Sequence, residues 1–132
     1  MLRVILVITL GLLAVAALAN SGAEGTWKTE ANDEGGYLEV TVGPCEANAN
    51  KLCGMISKAY SGEGLNIDYE HLGKLMVENM EVDGDNEFSG GTIWDPSADK
   101  VYKSKMQADG NELEVDGCIA FLCSGQKWTR VQ

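Results

Sequence analysis

A single histidine and several acidic residues are the side chains of this 132-residue sequence that could carry out catalysis. A serine-type hydrolase needs a histidine beside its nucleophile, but His71 is the only histidine and there is no G-x-S-x-G motif. A glycosidase needs two carboxylates facing each other across a cleft. Glu112, Glu114 and Asp116 instead alternate along one predicted strand, on the face expected to meet solvent. We therefore expect a non-catalytic protein without a cofactor.

Two groups of residues could bind a metal ion, but neither has the spacing that a metal site requires. Residues 81–87 bring carboxylate oxygens together, yet Phe88 stands where an EF-hand loop needs glycine and no glutamate closes the loop. Zinc would need a C-x-x-C pair or a second histidine, and the sequence has neither. We expect an acidic hairpin turn at residues 81–87 and no metal site.

The N-terminus has the pattern of a secretory signal peptide. Arg3 is the only charge in the first 23 residues, and the apolar run Val4–Leu18 is too short to span a bilayer. The Ala-Leu-Ala that ends at Ala19 predicts cleavage there, with Ala23 as second choice; an uncleaved membrane anchor is the alternative. The remaining residues, 20–132, form one domain that we expect to be periplasmic or secreted, without stable insertion in the membrane.

The four cysteines are interpreted as two disulfides, because an exported domain of this size is small and its compartment is oxidising. Three connectivities are possible. Proximity in the sequence favours Cys45 with Cys53 and Cys118 with Cys123.

The charge of the exported domain restricts its partners. It carries nine basic and twenty acidic side chains, a formal charge of −11. Such a charge repels nucleic acid and anionic lipid, and fits a cationic protein partner or simple solubility.

Short segments of alternating polar and apolar residues predict an all-β fold. Eight strands are expected, the number found in a small closed antiparallel up-and-down barrel. The irregular connection over residues 60–74 is expected to be a loop or a short helix around Tyr69 to Leu72. The predicted strands are 25–30, 36–42, 52–59, 75–82, 87–94, 101–108, 111–119 and 126–131.

Two glycine-containing dipeptides predict local features of the strands. Asp109-Gly110 favours a two-residue type I′ turn, which would place Lys105 opposite Glu114 and Tyr102 opposite Gly117. Gly90-Gly91 is followed by a strand where a phosphate-binding loop would need a helix, so these glycines predict a β-bulge or a sharp bend in a barrel strand.

The first and last strands carry residues that could close the barrel. Gly25 and Trp27 begin the first strand, and Trp128 and Arg130 lie on the last, so Arg130 is expected to cover the indole of Trp27 as a cation–π pair. This arrangement resembles the lipocalin signature of a G-x-W near the N-terminus and an arginine on the last strand.

Longer motifs resemble the bacterial exported family known as domain of unknown function 2147. The resemblance implies a lipocalin-like (calycin) barrel and no assigned reaction. The sequence departs from the family pattern at Asp99, where glycine is common, and at Trp94, where tyrosine is frequent. The motifs are Leu52-Cys53-Gly54, Leu75-Met76 with Met80 and Gly84, Gly90 to Pro96, Lys100 to Tyr102, Leu113 to Cys118, and Trp128 to Val131.

Two functions remain open at this point. The first is binding of a small apolar or amphipathic ligand inside the barrel, although the same side chains could simply fill the interior. The second is a protein-interaction module, of the envelope-stress or hydrolase-inhibitor type, that uses its acidic surface. The candidate ligand-binding residues are Trp27, Met55, Met80, Ile93, Trp94, Tyr102 and Met106.

Overall fold

The structure, a computed structural model, describes residues 22–131. The predicted signal peptide of residues 1–19 lies outside the described residues. Nine strands are found: β1 (Gly25–Lys28), β2 (Tyr37–Pro44), β3 (Leu52–Ser61), β4 (Gly64–Leu65), β5 (Leu75–Val82), β6 (Glu87–Asp95), β7 (Lys100–Asp109), β8 (Glu112–Ile119) and β9 (Leu122–Arg130).

Eight of these strands form a closed antiparallel barrel. Neighbours in the ring are neighbours in the chain, except that β3 pairs with β5 and β1 pairs with β9. Pairing of β2 with β1 on one side and β3 on the other completes the ring, while β4 is a two-residue addition beside β3. The predicted up-and-down barrel is confirmed. The β1–β9 seam is short, because only Trp27↔Arg130 and Lys28↔Thr129 are paired.

The hydrophobic core occupies one half of the barrel. Its residues lie where β2, β5, β7 and β9 end and β3, β6 and β8 begin, and we call this the closed end. We call the opposite end the mouth. Burial at the closed end follows from the predicted alternation of apolar residues. The core residues are Ala23, Trp27, Val40, Val42, Leu52, Val77, Met80, Phe88, Met106, Ala108, Leu113, Val115 and Trp128.

The predicted β-bulge at Gly90-Gly91 is confirmed by a register shift between Phe88 and Gly91 in the β6–β7 ladder. Gly90 has a φ of 78°, in the left-handed region that favours glycine. Gly91 is buried against β5, where an added Cβ would collide with the backbone of Glu78 and Asn79. The bulge therefore requires both glycines, for two different reasons.

The predicted register of the β7–β8 hairpin is wrong by two residues. Lys105 pairs with Asp116 rather than Glu114, because the two turn residues are Gly110 and Asn111. Gly110 has a φ of 58° and takes the first central position, the one that requires glycine in a type II′ turn. A shift of two residues preserves the faces, so lysines still point outward.

The connection over residues 60–74 contains no helix, so the helical alternative is wrong. β3 continues to Ser61, β4 follows at once, and a series of turns leads to Lys74. These turns are fastened to β3, since Ile56 N–H donates to the Lys74 carbonyl at 2.9 Å and Gly73 N–H donates to the Ile56 carbonyl at 2.8 Å.

Two disulfides join residues near in sequence. Cys45–Cys53 links the chain after β2 to β3, with a Cα–Cα distance of 4.9 Å, and Cys118–Cys123 spans the turn between β8 and β9, with a Cα–Cα distance of 4.1 Å. Two disulfides indicate an oxidising environment. Among residues 22–131 we find no helix long and apolar enough to span a membrane.

Candidate functional site

Arg130 seals the closed end of the barrel. Its guanidinium carbon lies 4.3 Å from the centroid of the Trp27 indole. Its nitrogens donate to the carbonyls of Glu24 (2.7 Å), Gly22 (2.9 Å) and Gly110 (3.3 and 3.4 Å). The planar guanidinium thus contacts the segment before β1, the β7–β8 turn and the Trp27 indole at the same time.

Trp27 and Gly25 complete this closure. The buried Trp27 indole N–H donates to the Ala23 carbonyl at 2.8 Å, which satisfies its only polar group. Gly25 has a φ of 131°, a conformation that side chains rarely adopt.

The mouth half of the barrel is open and contains a cavity of about 620 Å³, which we call the apolar chamber. Its floor is the top of the packed core, formed by Val115 and Trp128. Gly117 lies above this floor. A side chain at this position would take up cavity space, since its Cβ would already lie 3.3 Å from Tyr102. The wall residues include Met76, Ile93, Trp94, Tyr102, Ile119, Leu122 and Ser124.

A second cavity of about 600 Å³ adjoins the first, beneath the 66–74 turns, and we call it the acidic chamber. Leu38 and Ala59 contribute apolar surface. Four carboxylate residues, Glu30, Glu34, Glu70 and Asp95, line it, and no lysine or arginine is among the described residues that line either chamber.

Four residues line both chambers and mark their junction: Met76, Asp95, Ser97 and Gln126. The indole N–H of buried Trp128 donates to Oε1 of Gln126 at 3.1 Å. Because an indole can only donate, this bond fixes which way the amide faces. Asp95 Oδ1 accepts from the Ser97 N–H at 3.0 Å and from its hydroxyl at 2.7 Å. The three polar side chains at the junction, Asp95, Ser97 and Gln126, are therefore hydrogen-bonded.

His71 lies at the rim of the acidic chamber, edge-on to Tyr69 and Trp94, with ring centroids 5.3 and 4.9 Å away. Lys74 Nζ lies 3.1 Å from Nδ1, and Glu70 Oε1 lies 3.2 Å from Nε2. Since an ammonium only donates, Nδ1 accepts and Nε2–H donates to Glu70. Both ring nitrogens of His71 therefore have a hydrogen-bonding partner.

Asp99 and Trp94, singled out in the sequence analysis, lie at the same rim. Asp99 has a φ of 49°, a conformation suited to glycine, and its Oδ1 accepts a hydrogen bond from the Trp94 indole at 3.0 Å. The two unusual residues are therefore bonded to each other.

Two tyrosines near the mouth have perturbed ionisation. Burial, followed by the charges of Glu70 and Asp95, raises the pKa of Tyr69. A hydrogen bond to the Glu39 carboxylate raises the pKa of Tyr60, which stacks on Tyr37 at 4.6 Å. Negative charge therefore acts on both tyrosines.

The β8–β9 turn carries exposed apolar side chains at the mouth. Ile119, Phe121 and Leu122 are 66%, 99% and 81% exposed, and Cys118–Cys123 fixes the ends of this turn. Ile119 and Leu122 also line the apolar chamber. The apolar surface of the chamber thus continues onto the rim.

The predicted ligand-binding residues fall into three places. Ile93, Trp94 and Tyr102 line the apolar chamber. A second group, Trp27, Met80 and Met106, is packed in the core.

Met55 is neither in the chamber nor in the core. It is 41% exposed and pairs with Thr41 on the outer face, so its predicted interior position is wrong. Its neighbours Gly54 and Ile56 take the inward positions, opposite Val42 and Val40.

The acidic residues considered for catalysis do not form a carboxylate pair in the cavity. Glu112, Glu114 and Asp116 lie on β8, and none lines either chamber. Within the part of the chain that the structure describes, no three His, Cys, Asp or Glu side chains converge as metal ligands would.

Comparison with known proteins agrees with this architecture. A family model described as "Uncharacterized protein conserved in bacteria (DUF2147)" matches residues 25–130. The chain belongs to the DUF2147 family. No curated protein matches the chain. Helicobacter pylori protein HP1028, described as belonging to the lipocalin family, has a similar structure, with a TM-score of 0.61 and 14% identity over 83% of this chain and 82% of that chain. The DUF2147 barrel is therefore lipocalin-like in fold.

The sequence does not predict the residues at the chamber junction. In the sequence, Asp95 appears only within the motif Gly90 to Pro96, and Gln126 only as the start of a strand, although β9 begins at Leu122. Ser124, Gln126 and Trp128 stand at every second position, so they lie on the same face of the strand. Because Ser124 and Gln126 are polar, this spacing does not show as a hydrophobic pattern in the sequence.

Proposed function

We propose that this DUF2147 protein is an exported, non-catalytic binding protein that holds a small amphipathic ligand at the mouth of its barrel. The observation that carries the proposal is the division of the interior into a packed half and an open half. Each chamber of about 600 Å³ has the size of a small-molecule site, for which about 300–1,000 Å³ is usual.

The lining of the chambers supports an amphipathic ligand rather than a purely apolar one. Apolar residues such as Ile93 and Leu122 dominate one chamber, and carboxylates line the other. Eight-stranded barrels of the lipocalin type can hold one small ligand, which agrees with this use of the mouth.

Binding of the neutral fluorescent probe N-phenyl-1-naphthylamine tests the proposal. We expect saturable one-to-one binding with increased emission. Ser124→Trp should abolish it by filling the apolar chamber, whereas Thr129→Trp, exposed on the same strand, should bind the probe like the parent protein. An absence of binding, or equal binding by both variants, would overturn the proposal.

Export is part of the same proposal and has its own test. We infer that residues 1–19 are a cleaved signal peptide and that residues 20–132 form the single mature domain, in the periplasm or outside the cell. Intact-mass measurement of the protein made in a bacterium should give a chain that begins at Asn20. A mass that retains residues 1–19 would contradict cleavage.

A further inference from the structure

We propose that the mouth of this barrel selects amphiphiles whose polar end is a protonated amine, with the apolar chain in the apolar chamber and the ammonium at Asp95. This inference rests on the proposed function and names the ligand class for the same site.

The first step is the continuity of the two chambers. A ligand with its chain against Ile93 and Trp128 reaches the junction at Asp95 without leaving the cavity. Its polar end then meets the carboxylates of the acidic chamber.

The second step is the sign of the charge at that surface. No lysine or arginine side-chain nitrogen of the described chain lies within 4.0 Å of the carboxylates of Glu30, Glu34 or Asp95, although the Lys127 backbone N–H donates to Glu30. Glu70 is bonded only to His71. The pKa of Tyr69 is raised mainly by burial and further by the charges of Glu70 and Asp95, and this second contribution agrees with a negative potential there. An ammonium would be attracted to this wall, whereas a carboxylate would be repelled.

The third step is the geometry of Asp95. Its Oδ1 is held by Ser97, and among the described residues Oδ2 accepts no hydrogen bond. Asp95 is half-buried and lines both chambers, so it can pair with an ammonium at the point where the apolar surface ends.

Three amphiphiles with the same twelve-carbon chain test the inference: dodecylammonium, dodecanol and dodecanoate, each below its micellar concentration. Displacement of N-phenyl-1-naphthylamine gives their affinities. We expect dodecylammonium to bind about tenfold more tightly than dodecanoate, with dodecanol between them, and this preference to shrink as salt is added.

Two variants separate Asp95 from the general acidity of the protein. Asp95→Asn keeps an Oδ1 acceptor for Ser97 and should reduce the preference for dodecylammonium over dodecanol at least about threefold. Asp109→Asn makes the same change of charge at the closed end and should leave the preference unaltered.

The outcomes distinguish the two proposals. If the probe does not bind and none of the amphiphiles changes thermal melting, the proposed function fails. If the probe binds but dodecanoate binds as tightly as dodecylammonium, the ligand class is wrong and the proposed function stands. Equal effects of Asp95→Asn and Asp109→Asn would overturn the assignment of Asp95.

Discussion

The guanidinium of Arg130 lies 4.3 Å from the centre of the Trp27 indole, directly across the β1–β9 seam where the two residues are paired. This contact joins the first and last strands of the barrel, whose ladder has only two residue pairs. The same arginine donates to three backbone carbonyls. Closure of the barrel therefore depends strongly on one side chain.

Replacing Arg130 with alanine should lower the free energy of unfolding by about 2–4 kcal/mol, since a cation–π pair and several charged hydrogen bonds are lost. Arg130→Lys should recover only part of this loss, because an ammonium cannot reproduce the planar fork. Urea unfolding followed by tryptophan fluorescence measures both. Lys127→Ala, exposed on the same strand, is the control. If Arg130→Lys had the same free energy of unfolding as the parent protein, the proposed role of the planar guanidinium would be contradicted.

Gly91→Ala should lower the free energy of unfolding by about 2–4 kcal/mol, because the new methyl group would collide with the β5 backbone at a buried bulge. Gly43→Ala is the matched control, since a methyl group there would meet no atom within 4 Å beyond its chain neighbours. This control should change stability by less than about 0.5 kcal/mol. Thermal and urea unfolding provide the comparison. Equal costs at the two glycines would show that the bulge tolerates a side chain.

Gly110→Ala should cost about 1 kcal/mol, because alanine is strained at a φ of 58°. Asp109→Ala should cost less, since Asp109 ends a regular strand rather than occupying the turn. NMR cross-strand contacts should pair Lys105 with Asp116 and Gln107 with Glu114. Contacts between Lys105 and Glu114 would instead restore the register expected from the Asp109-Gly110 dipeptide.

Alkaline pH should destabilise the protein in part through Tyr69. Burial raises the folded-state pKa of Tyr69 above its usual value of 10.0. The unfolded chain therefore ionises first, so the stability from this group is complete below about pH 10 and is lost as the pH rises through the folded pKa. Tyr69→Phe should lose less stability than the parent between about pH 9 and pH 11. Identical losses would contradict the raised pKa.

The strands could be predicted because the closed half of the barrel is packed. Leu113 and Val115 alternate with Glu112 and Glu114, and this alternation follows directly from one face being buried. The β7–β8 register could not be predicted, because Asp109-Gly110 and Gly110-Asn111 are both acceptable turn pairs and only cross-strand packing chooses between them.

The mouth could not be predicted in the same way. An open cavity accepts both polar and apolar walls, so residues that line it, such as Ser124 and Gln126, leave no hydrophobic pattern. Asp95 lies at the junction because closure of the barrel brings the end of β6 close to the first half of β9. A short sequence motif does not carry this information. The sequence therefore predicts the scaffold more fully than the site.

The short seam between β1 and β9 has a mechanical consequence for the wall of the barrel. The β7–β8 and β8–β9 ladders hold seven and eight residue pairs, whereas the seam holds two. The seam is supplemented by the Val131 N–H, which donates to the Thr26 carbonyl, and by the Lys127 N–H, which donates to Glu30. Radial strain at the mouth will concentrate where the fewest hydrogen bonds oppose it. We expect the barrel to widen most easily where β9 parts from the segment after β1, since the next shortest ladder of the barrel, between β3 and β5, holds three residue pairs.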